Sequence, residues 1–340
     1  MAEKTKKSGN AFTRGFKNFF RNNGGILVGF LLLCILWIVL TGDTFLTYDN
    51  LINVVRQAVQ NGLMAFGMTF ILIVGCIDLS VGANCATTGV ILVMIINAGV
   101  PVWLGVLLTL VAGAAMGFVN GYFVTEWNLL PYVVTLSTQN IFRGLGYLLT
   151  GGLPVRNTED SFSFIGNGHV GPIPFPVVIL LIAFVICAII LSRTVLGRHM
   201  YAVGGNEEAA RYSGINPKKI KKIAYIFSGM LSALGGCVLA AKLYSGQPSS
   251  GVGYEGDAIA SNVLGGVSMR GGTGSTVGAL IGALVLATMV NGFNLLQINY
   301  YWQMIAKGVV IILAVEIDVL KKASEEAGLT LKEYLFPKKA

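Results

Sequence analysis

Charged side chains are scarce in this sequence. Only 12% of its 340 residues are Asp, Glu, Lys or Arg, whereas a soluble domain has about 25%. Hydrophobic residues make up 54% of the chain, and the mean hydropathy is +0.71. Uncharged apolar stretches such as 26–40 and 177–191 are long enough to cross the hydrocarbon layer of a bilayer. The composition therefore predicts a membrane protein.

Residues that commonly carry chemistry are also scarce. There are two histidines, which excludes a histidine-rich metal site, and the five cysteines are scattered without paired spacing, as expected of small buried hydrophobic residues. The sequence has no GxxxxGK[ST], GxSxG or HExxH pattern, so it predicts neither a P-loop nor a hydrolase. We therefore expect no enzyme, bound cofactor or metal, and any energy source must come from an ion gradient or another subunit.

Glycine is abundant, with 44 residues, and small residues allow transmembrane helices to pack closely. The glycine content therefore favours a closely packed helical bundle.

Apolar segments recur about ten times along the chain. They lie at about 26–41, 59–76, 81–98, 102–125, 130–150, 174–192, 222–242, 254–268, 275–296 and 302–319. This pattern predicts an all-α polytopic membrane protein with about ten transmembrane helices.

The distribution of basic residues predicts the orientation. Segment 193–221 holds six Lys and Arg residues, whereas 151–173 holds only Arg156. The positive-inside rule then places 193–221 and both termini in the cytoplasm. Residues 1–24 are expected to form a basic cytoplasmic segment, 25–320 the transmembrane domain, and 321–340 a cytoplasmic tail. The same rule accounts for the net charge of +8 without nucleic acid.

The two halves of the chain share a weak internal repeat. QNIFRG at 139–144 matches QMIAKG at 303–308, and Asn-Gly recurs at 120–121 and 291–292. Glycine-rich breaks that we interpret as corresponding lie at 75–82 and 265–274. A unit of five helices would give the five-plus-five inverted repeat of many transporters, and the alternative is chance similarity among apolar segments.

Segment 193–221 contains a glycine-bracketed pattern typical of a short helix. Asn206 can cap a helix that starts with two acidic residues, and Gly214 can end it. Such an element is suited to docking on a cytosolic partner. The residues proposed for docking are Gly204, Gly205, Asn206, Glu207, Glu208, Ala209, Ala210, Arg211, Ser213 and Gly214.

This loop resembles the coupling region of ribose/galactose/xylose-type ABC permeases, and the resemblance covers about 50–320. The supporting motifs are DLSVG at 78–82, PYVVTL at 131–136, GYEGDAIA at 253–260, LGGVS at 264–268, GGTG at 271–274 and YWQ at 301–303. Two departures from the usual pattern are Cys76, where a small residue is common, and Gly256, where Leu is common.

The resemblance implies a permease subunit of an importer in the cell inner membrane. Its partners would be a cytosolic ABC ATPase that binds ATP and Mg²⁺, an extracytoplasmic sugar-binding protein, and a second permease copy, either identical or a close paralogue. The substrate would be a monosaccharide, either a ribose-type pentose or a related hexose. Apart from these partners, only membrane lipid is expected to contact the chain.

Polar residues within the apolar segments are candidates for the sugar pathway: Asp78, Gln139, Asn140, Arg143, Asn291, Gln303 and Lys307. An unpaired charge within a membrane is costly, so each charged residue is expected to face a partner, a polar cavity or the interface. Structural alternatives remain for all seven: helix capping by Asp78, ion pairing or snorkelling by the basic residues, and interhelical bonds by the amides. The candidate gate or helix-break residues are Gly75, Gly82, Gly265, Gly266, Gly271 and Gly272.

Two other functions are compatible with parts of the sequence. An ion-coupled secondary transporter would account for the inverted repeat, but it gives the docking loop no purpose. A nucleoside-importing ABC permease would share the architecture, although motifs 78–82 and 206–215 are more typical of the sugar branch.

Overall fold

A computed structural model describes residues 11–326. Predictions for 1–10 and 327–340, at the two ends of the chain, lie outside the described residues. The helices are α1 Ala11–Thr41, α2 Tyr48–Ile73, α3 Val81–Asn97, α4 Val102–Glu126, α5 Pro131–Thr150, α6 Phe164–Asn167, α7 Phe175–Arg193, α8 Val195–Gly205, α9 Glu207–Tyr212, α10 Pro217–Lys242, α11 Tyr254–Leu264, α12 Thr276–Leu295 and α13 Tyr300–Glu326. Short 3₁₀ helices occupy Gly42–Thr44 and Asp160–Ser163.

A helix lies at each of the ten predicted apolar segments, but several boundaries differ. Helix α1 starts at Ala11 rather than 26, α10 starts at Pro217 rather than 222, and α13 ends at Glu326 rather than 319. Helix α2 starts at Tyr48 rather than near 59, because the polar residues of 48–58 lower the hydropathy without preventing helix formation. Helix α11 ends at Leu264 rather than 268, because Gly265 and Gly266 end it, the latter with a positive φ of 75°.

Within residues 11–326, five helical segments are both long and apolar enough to cross a membrane. They are Gly24–Thr44, Val102–Glu126, Phe175–Arg193, Pro217–Lys242 and Thr276–Leu295. Shorter apolar helical segments occupy Val81–Asn97 and Tyr300–Leu313. The chain is therefore an all-α polytopic membrane protein.

The centre of the bundle is formed by α2 and α10. Every residue of α2 from Gly62 to Ile73 is buried, and α10 packs against α2, α3 and α4. The contact between α4 and α10 uses glycines at four-residue spacing, Gly113 and Gly117. A Cβ atom on Gly117 would overlap the Tyr225 carbonyl of α10, and one on Gly113 would meet Gly229. Close helix approach thus accounts for part of the high glycine content.

The order of the helices corrects one prediction about the repeat. Helices α4 and α5 are the fourth and fifth of the ten, and α12 and α13 the ninth and tenth, so the matching sequence pairs lie on helices of equivalent order. The break at 75–82 joins the second and third helices, whereas 265–274 joins the eighth and ninth. The prediction that these breaks correspond is therefore wrong, because a five-helix unit pairs 75–82 with 243–253.

Two small antiparallel sheets lie at one end of the bundle. Strand β1 Val155–Arg156 pairs with β4 Ser245–Gly246, and β2 His169–Val170 pairs with β3 Ile173–Pro174. Helix α6 packs there against the C-terminal end of α10, where Asn167 Nδ2 donates to the Ala241 carbonyl at 3.0 Å. We call this the α6 end. The opposite end, where α9 packs beside the start of α10, is the α9 end.

Candidate functional site

Helix α9 occupies the predicted position in segment 193–221. Helix α8 ends at Gly205, and the Asn206 side-chain oxygen then accepts the Ala209 N–H at 2.9 Å, which starts a separate helix. Gly214 follows α9 with a positive φ of 85°, a conformation that favours glycine. The cap and the end of this helix are therefore those that the sequence predicts.

One face of α9 is anchored and the rest is exposed. Ala210 is buried, and Glu207 forms an ion pair of 2.6 Å with Lys221 at the start of α10. Glu208 and Arg211 form an exposed pair of 3.0 Å, and Tyr212 is 81% exposed. Exposed ion pairs add little stability, so this charged face is available to a partner at small cost.

Helix α8 holds α9 against the bundle. Met200 and Val203 are buried, and the Tyr201 hydroxyl donates to the Gly274 carbonyl at 2.8 Å. Burial raises the pKa of the Tyr201 hydroxyl, which therefore remains a protonated donor at neutral pH. The end of α8 is thus tied to the segment between α11 and α12.

Glycines from three segments meet at the α9 end. They are Gly75 after α2, Gly204 and Gly205 at the end of α8, and Gly271 and Gly272 before α12, and we call them the glycine junction. A Cβ on Gly204 would overlap the carbonyl oxygen of α2's last residue, which also accepts the Gly272 N–H at 2.9 Å. The junction joins members of the predicted docking and helix-break groups, which sequence reasoning treated separately.

The remaining predicted break glycines make other close contacts. Gly82 lies against Gly251, where a Cβ on either would overlap backbone atoms of the other. Gly265 packs in the same way against Gly278 at the start of α12. Gly266 ends α11 in open space. The six candidate gate residues therefore belong to several helix contacts rather than to one gate.

Asp78 lies in a buried polar network. Its carboxylate accepts the Ser80 N–H at 3.0 Å, the Ser80 hydroxyl at 2.7 Å and the Ser228 hydroxyl at 2.7 Å. Asn120 Nδ2 donates to the Ser80 hydroxyl at 2.8 Å, and the Thr138 hydroxyl donates to Asn120 Oδ1 at 2.6 Å. This network joins the start of α3 to α4, α5 and α10. Asp78 accepts the N–H of Ser80, the residue before α3, rather than an N–H of α3 itself, so its role is that of a tertiary hydrogen-bond centre rather than the predicted helix cap.

Gln139 of α5 contacts the first turn of α11, and Arg143 of α5 contacts the loop before α11. Gln139 Nε2 donates to Glu255 Oε1 at 3.3 Å. Arg143 Nη1 donates to the backbone carbonyls of Pro248 and Ser250 at 3.2 and 2.8 Å. These bonds fix the loop between α10 and α11 to the first half of the chain.

Of the three other amides in the predicted pathway group, two bond to neighbouring helices and one bonds within its own helix. Asn291 Nδ2 donates to Asn50 Oδ1 at 2.9 Å, which joins α12 to α2. Gln303 Nε2 donates to Asn294 Oδ1 at 2.9 Å, which joins the start of α13 to the end of α12. Asn140 is exposed on α5 and donates to the carbonyl four residues earlier. The structure therefore does not gather the seven candidates at one place.

Lys307 lies beside a cavity that the sequence reasoning missed. Its ammonium group is 2.8 Å from the Asp257 carboxylate, and their side chains are 26% and 20% exposed. The cavity has a volume of about 170 Å³ and is formed by residues of α2, α11, α12 and α13, with the end of α10. The sequence does contain a signal for this cavity: Gln57, Gln60 and Asn61 are polar and are spaced so that they share one face of a helix.

A family model described as "Branched-chain amino acid transport system / permease component" matches residues 50–315. No solved structure gives a significant match.

Several curated proteins are similar to the chain over most of its length. A ribose import permease protein of Bacillus subtilis (strain 168) is 42% identical over 88% of this chain and 93% of its own. A ribose import permease protein of Escherichia coli (strain K12) is 44% identical over 86% of this chain and 92% of its own. An L-arabinose transport system permease protein of the same strain is 35% identical, with coverage of 88% and 92%. The chain therefore belongs to this family of transport-system permease components.

Proposed function

We propose that the chain is the membrane-spanning permease subunit of an ABC importer that carries a monosaccharide into the cytoplasm. The observation that carries this proposal is 42–44% identity to two ribose import permeases over 86–88% of the chain. We propose a ribose-type pentose or a related hexose as the substrate. The arabinose relative, at 35% identity, supports the wider class of monosaccharides.

The proposed docking element for the partner ATPase is α9 with its flanking glycines, 204–214. Support comes from its exposed charged face and its rigid start at the Asn206 cap. A push on α9 would pass through α8 to the glycine junction, and from there to the end of α2 and to segment 265–274. Because close-packed backbones cannot be compressed, the junction is suited to transmitting a small displacement.

The proposed topology has ten crossings with both termini in the cytoplasm and a five-plus-five inverted repeat. It is supported by the ten helix positions and by the basic residues of segment 193–221 at the α9 end. In this orientation the α6 end faces outward. A sugar-binding protein would then dock at the α6 end, and a second permease copy, identical or paralogous, would complete the membrane pore.

In this scheme the chain is not an enzyme. ATP and Mg²⁺ would be bound by the partner ATPase, and the permease would convert the closure of that partner into alternating access. The proposed contribution of this chain is therefore mechanical and selective rather than catalytic.

The decisive experiment is purification of the tagged protein from native membranes, followed by transport assays in proteoliposomes. We expect a Walker-motif ATPase to copurify and to be lost when 206–211 is replaced by Gly and Ser. The reconstituted complex with its binding protein should accumulate radiolabelled ribose or a related sugar when ATP is supplied. Uptake driven by an ion gradient without an ATPase would instead establish a secondary transporter.

A further inference from the structure

The cavity beside Lys307 lies at the α6 end of the bundle. Lys242, which lines it, is the last residue of α10, where α6 packs, and Tyr254, which also lines it, is the first residue of α11. A cavity of about 150 Å³ can bind one benzene molecule, and this cavity measures about 170 Å³. That is the scale of one small polar molecule rather than of a peptide or a lipid tail.

Two residues that line this cavity each have a buried side-chain atom without a hydrogen-bond partner among residues 11–326. These atoms are the Gln60 Nε2 donor and the Asn61 Oδ1 acceptor. The other end of the Asn61 amide is fixed, because its Nδ2 donates to the Ser261 hydroxyl at 2.9 Å. An unpaired buried polar group costs about 1–3 kcal/mol, so an open donor and an open acceptor on two cavity-lining residues of α2 favour a ligand with hydroxyl groups.

The charged groups at the cavity are one carboxylate and two ammonium groups, Asp257, Lys307 and Lys242, and all three can form hydrogen bonds with hydroxyl groups. Asp257 and Lys307 form an ion pair at 2.8 Å and largely neutralise each other. A hydroxyl group can donate to a carboxylate and accept from an ammonium or amide group, so it can use both members of the pair. The Tyr254 ring adds an apolar surface at the same cavity, as polar pockets for small molecules commonly have.

We propose that this cavity is a transit site for one neutral monosaccharide, held by Gln60, Asn61 and the Asp257–Lys307 pair. The proposal rests on the importer function given above and names the place where the permease itself contacts the sugar. Because the cavity lies at the α6 end, the sugar would reach it soon after its release from the binding protein. A transit site needs only weak binding, because a sugar held tightly would not move on.

Removal of the open donor tests the site. Gln60→Ala deletes a group without an internal partner, so a purely structural role predicts unchanged or raised thermal stability and unchanged uptake. A hydrogen bond to sugar predicts a three- to tenfold loss of ATP-driven uptake, from a contribution of about 0.5–1.5 kcal/mol. The matched control is Ser232→Ala, which removes a different buried unpaired group, a hydroxyl away from the cavity, and should leave uptake unchanged.

A labelling experiment gives a readout that does not depend on the uptake rate. Cys34, the partly exposed native cysteine, is replaced by Ala, and Gln60→Cys is introduced in the full transporter. During turnover with the binding protein and ribose, a maleimide should label this cysteine at least threefold more slowly than without sugar. The control variant Ser161→Cys, which is exposed at the α6 end, measures protection by the docked binding protein itself, and Gln60→Cys should be protected more strongly than this control.

The outcomes separate the two proposals. A wild-type complex that imports no monosaccharide overturns both the importer function and the site. A wild-type complex that imports ribose, with Gln60→Ala at the wild-type rate and no protection of Gln60→Cys beyond that of Ser161→Cys, overturns the cavity site and leaves the importer function standing. Loss of uptake in Gln60→Ala together with stronger protection of Gln60→Cys than of Ser161→Cys supports the site.

Discussion

The two ends of the helix bundle are built in opposite ways. At the α9 end, glycine backbones pack so closely that a Cβ on Gly204 would overlap the end of α2, and the nearby Asp78 carboxylate is surrounded by hydrogen-bond donors. At the α6 end, Asp257 lies at a cavity of about 170 Å³ beside polar atoms of α2 that have no described partner. The α9 end is closely packed and its Asp78 carboxylate is fully hydrogen-bonded, whereas the α6 end contains a cavity whose lining residues include polar atoms unpaired within the described part of the chain.

This difference suits the two tasks of a transport permease. An element that receives force should be stiff, because a loose contact would absorb a displacement before it reached the membrane. An element that passes a solute needs open polar groups that exchange one partner for another. Two aspartates that looked similar in sequence, Asp78 and Asp257, thus belong to a structural network and to a cavity.

The largest expected effect is at the glycine junction. In Gly204→Ala the new methyl group overlaps the backbone of α2, so α8 and α2 must separate. We expect a large fall in melting temperature, or loss of sugar-stimulated ATPase activity in any protein that folds. Gly205→Ala is the adjacent control, because a Cβ there meets nothing within 4 Å. Equal behaviour of the two variants in fluorescence-detected size-exclusion chromatography would show that the junction is not tightly packed.

The next effect is expected from Asp78→Ala. This change leaves the Ser80 N–H and the Ser80 and Ser228 hydroxyls without their acceptor, and each buried unpaired group costs about 1–3 kcal/mol. We expect little folded protein in membranes, with partial recovery in Asp78→Asn, which retains one acceptor oxygen. The control is Asp49→Ala at the exposed start of α2, and it should express normally. Normal folding with a selective loss of uptake in Asp78→Ala would instead place Asp78 on the pathway.

Most of the helix positions could be predicted because hydrophobic length is a local property. The cap at Asn206 and the end at Gly214 were also predictable, since each depends on a few adjacent residues. The early start of α2 was not, because residues 48–58 are polar and become helical as part of a longer packed element.

The cavity and the glycine junction depend on contacts between residues distant in the chain. Asp257 and Lys307 are 50 positions apart, and nothing in the sequence around either residue indicates that they pair. Gly204 and Gly272 come from two groups whose meeting depends on how α8 packs against α2. Tertiary packing decides such pairs, so hydropathy and motif spacing could not give them.

A smaller effect is expected from the ion pair at the cavity. Lys307→Met leaves Asp257 unpaired and should lower stability by about 1–3 kcal/mol, between the values for exposed and buried pairs. The double variant Asp257→Leu, Lys307→Met should recover most of that loss, since two apolar groups can replace a pair without leaving a charge. Thermal melting and ribose uptake separate the two roles. Recovered stability with low uptake supports a sugar contact, and recovery of both would make the pair structural.

The smallest expected effect is on α9 itself. Asn206→Ala removes the cap that accepts the Ala209 N–H and should cost about 1 kcal/mol of local helix stability. Because α9 has only six residues, that cost should loosen the docking element and reduce ATPase copurification and sugar-stimulated ATP hydrolysis several-fold. The matched control is Asn216→Ala, which removes the equivalent cap from the 26-residue helix α10, where the Asn216 side chain accepts the Lys219 N–H at 3.1 Å. A helix of that length, packed against three others, should keep its position without the cap. If Asn216→Ala lowered ATPase copurification and sugar-stimulated ATP hydrolysis as much as Asn206→Ala, the stability of the whole segment 193–221 would matter rather than that of α9. That result would contradict the assignment of docking to 204–214.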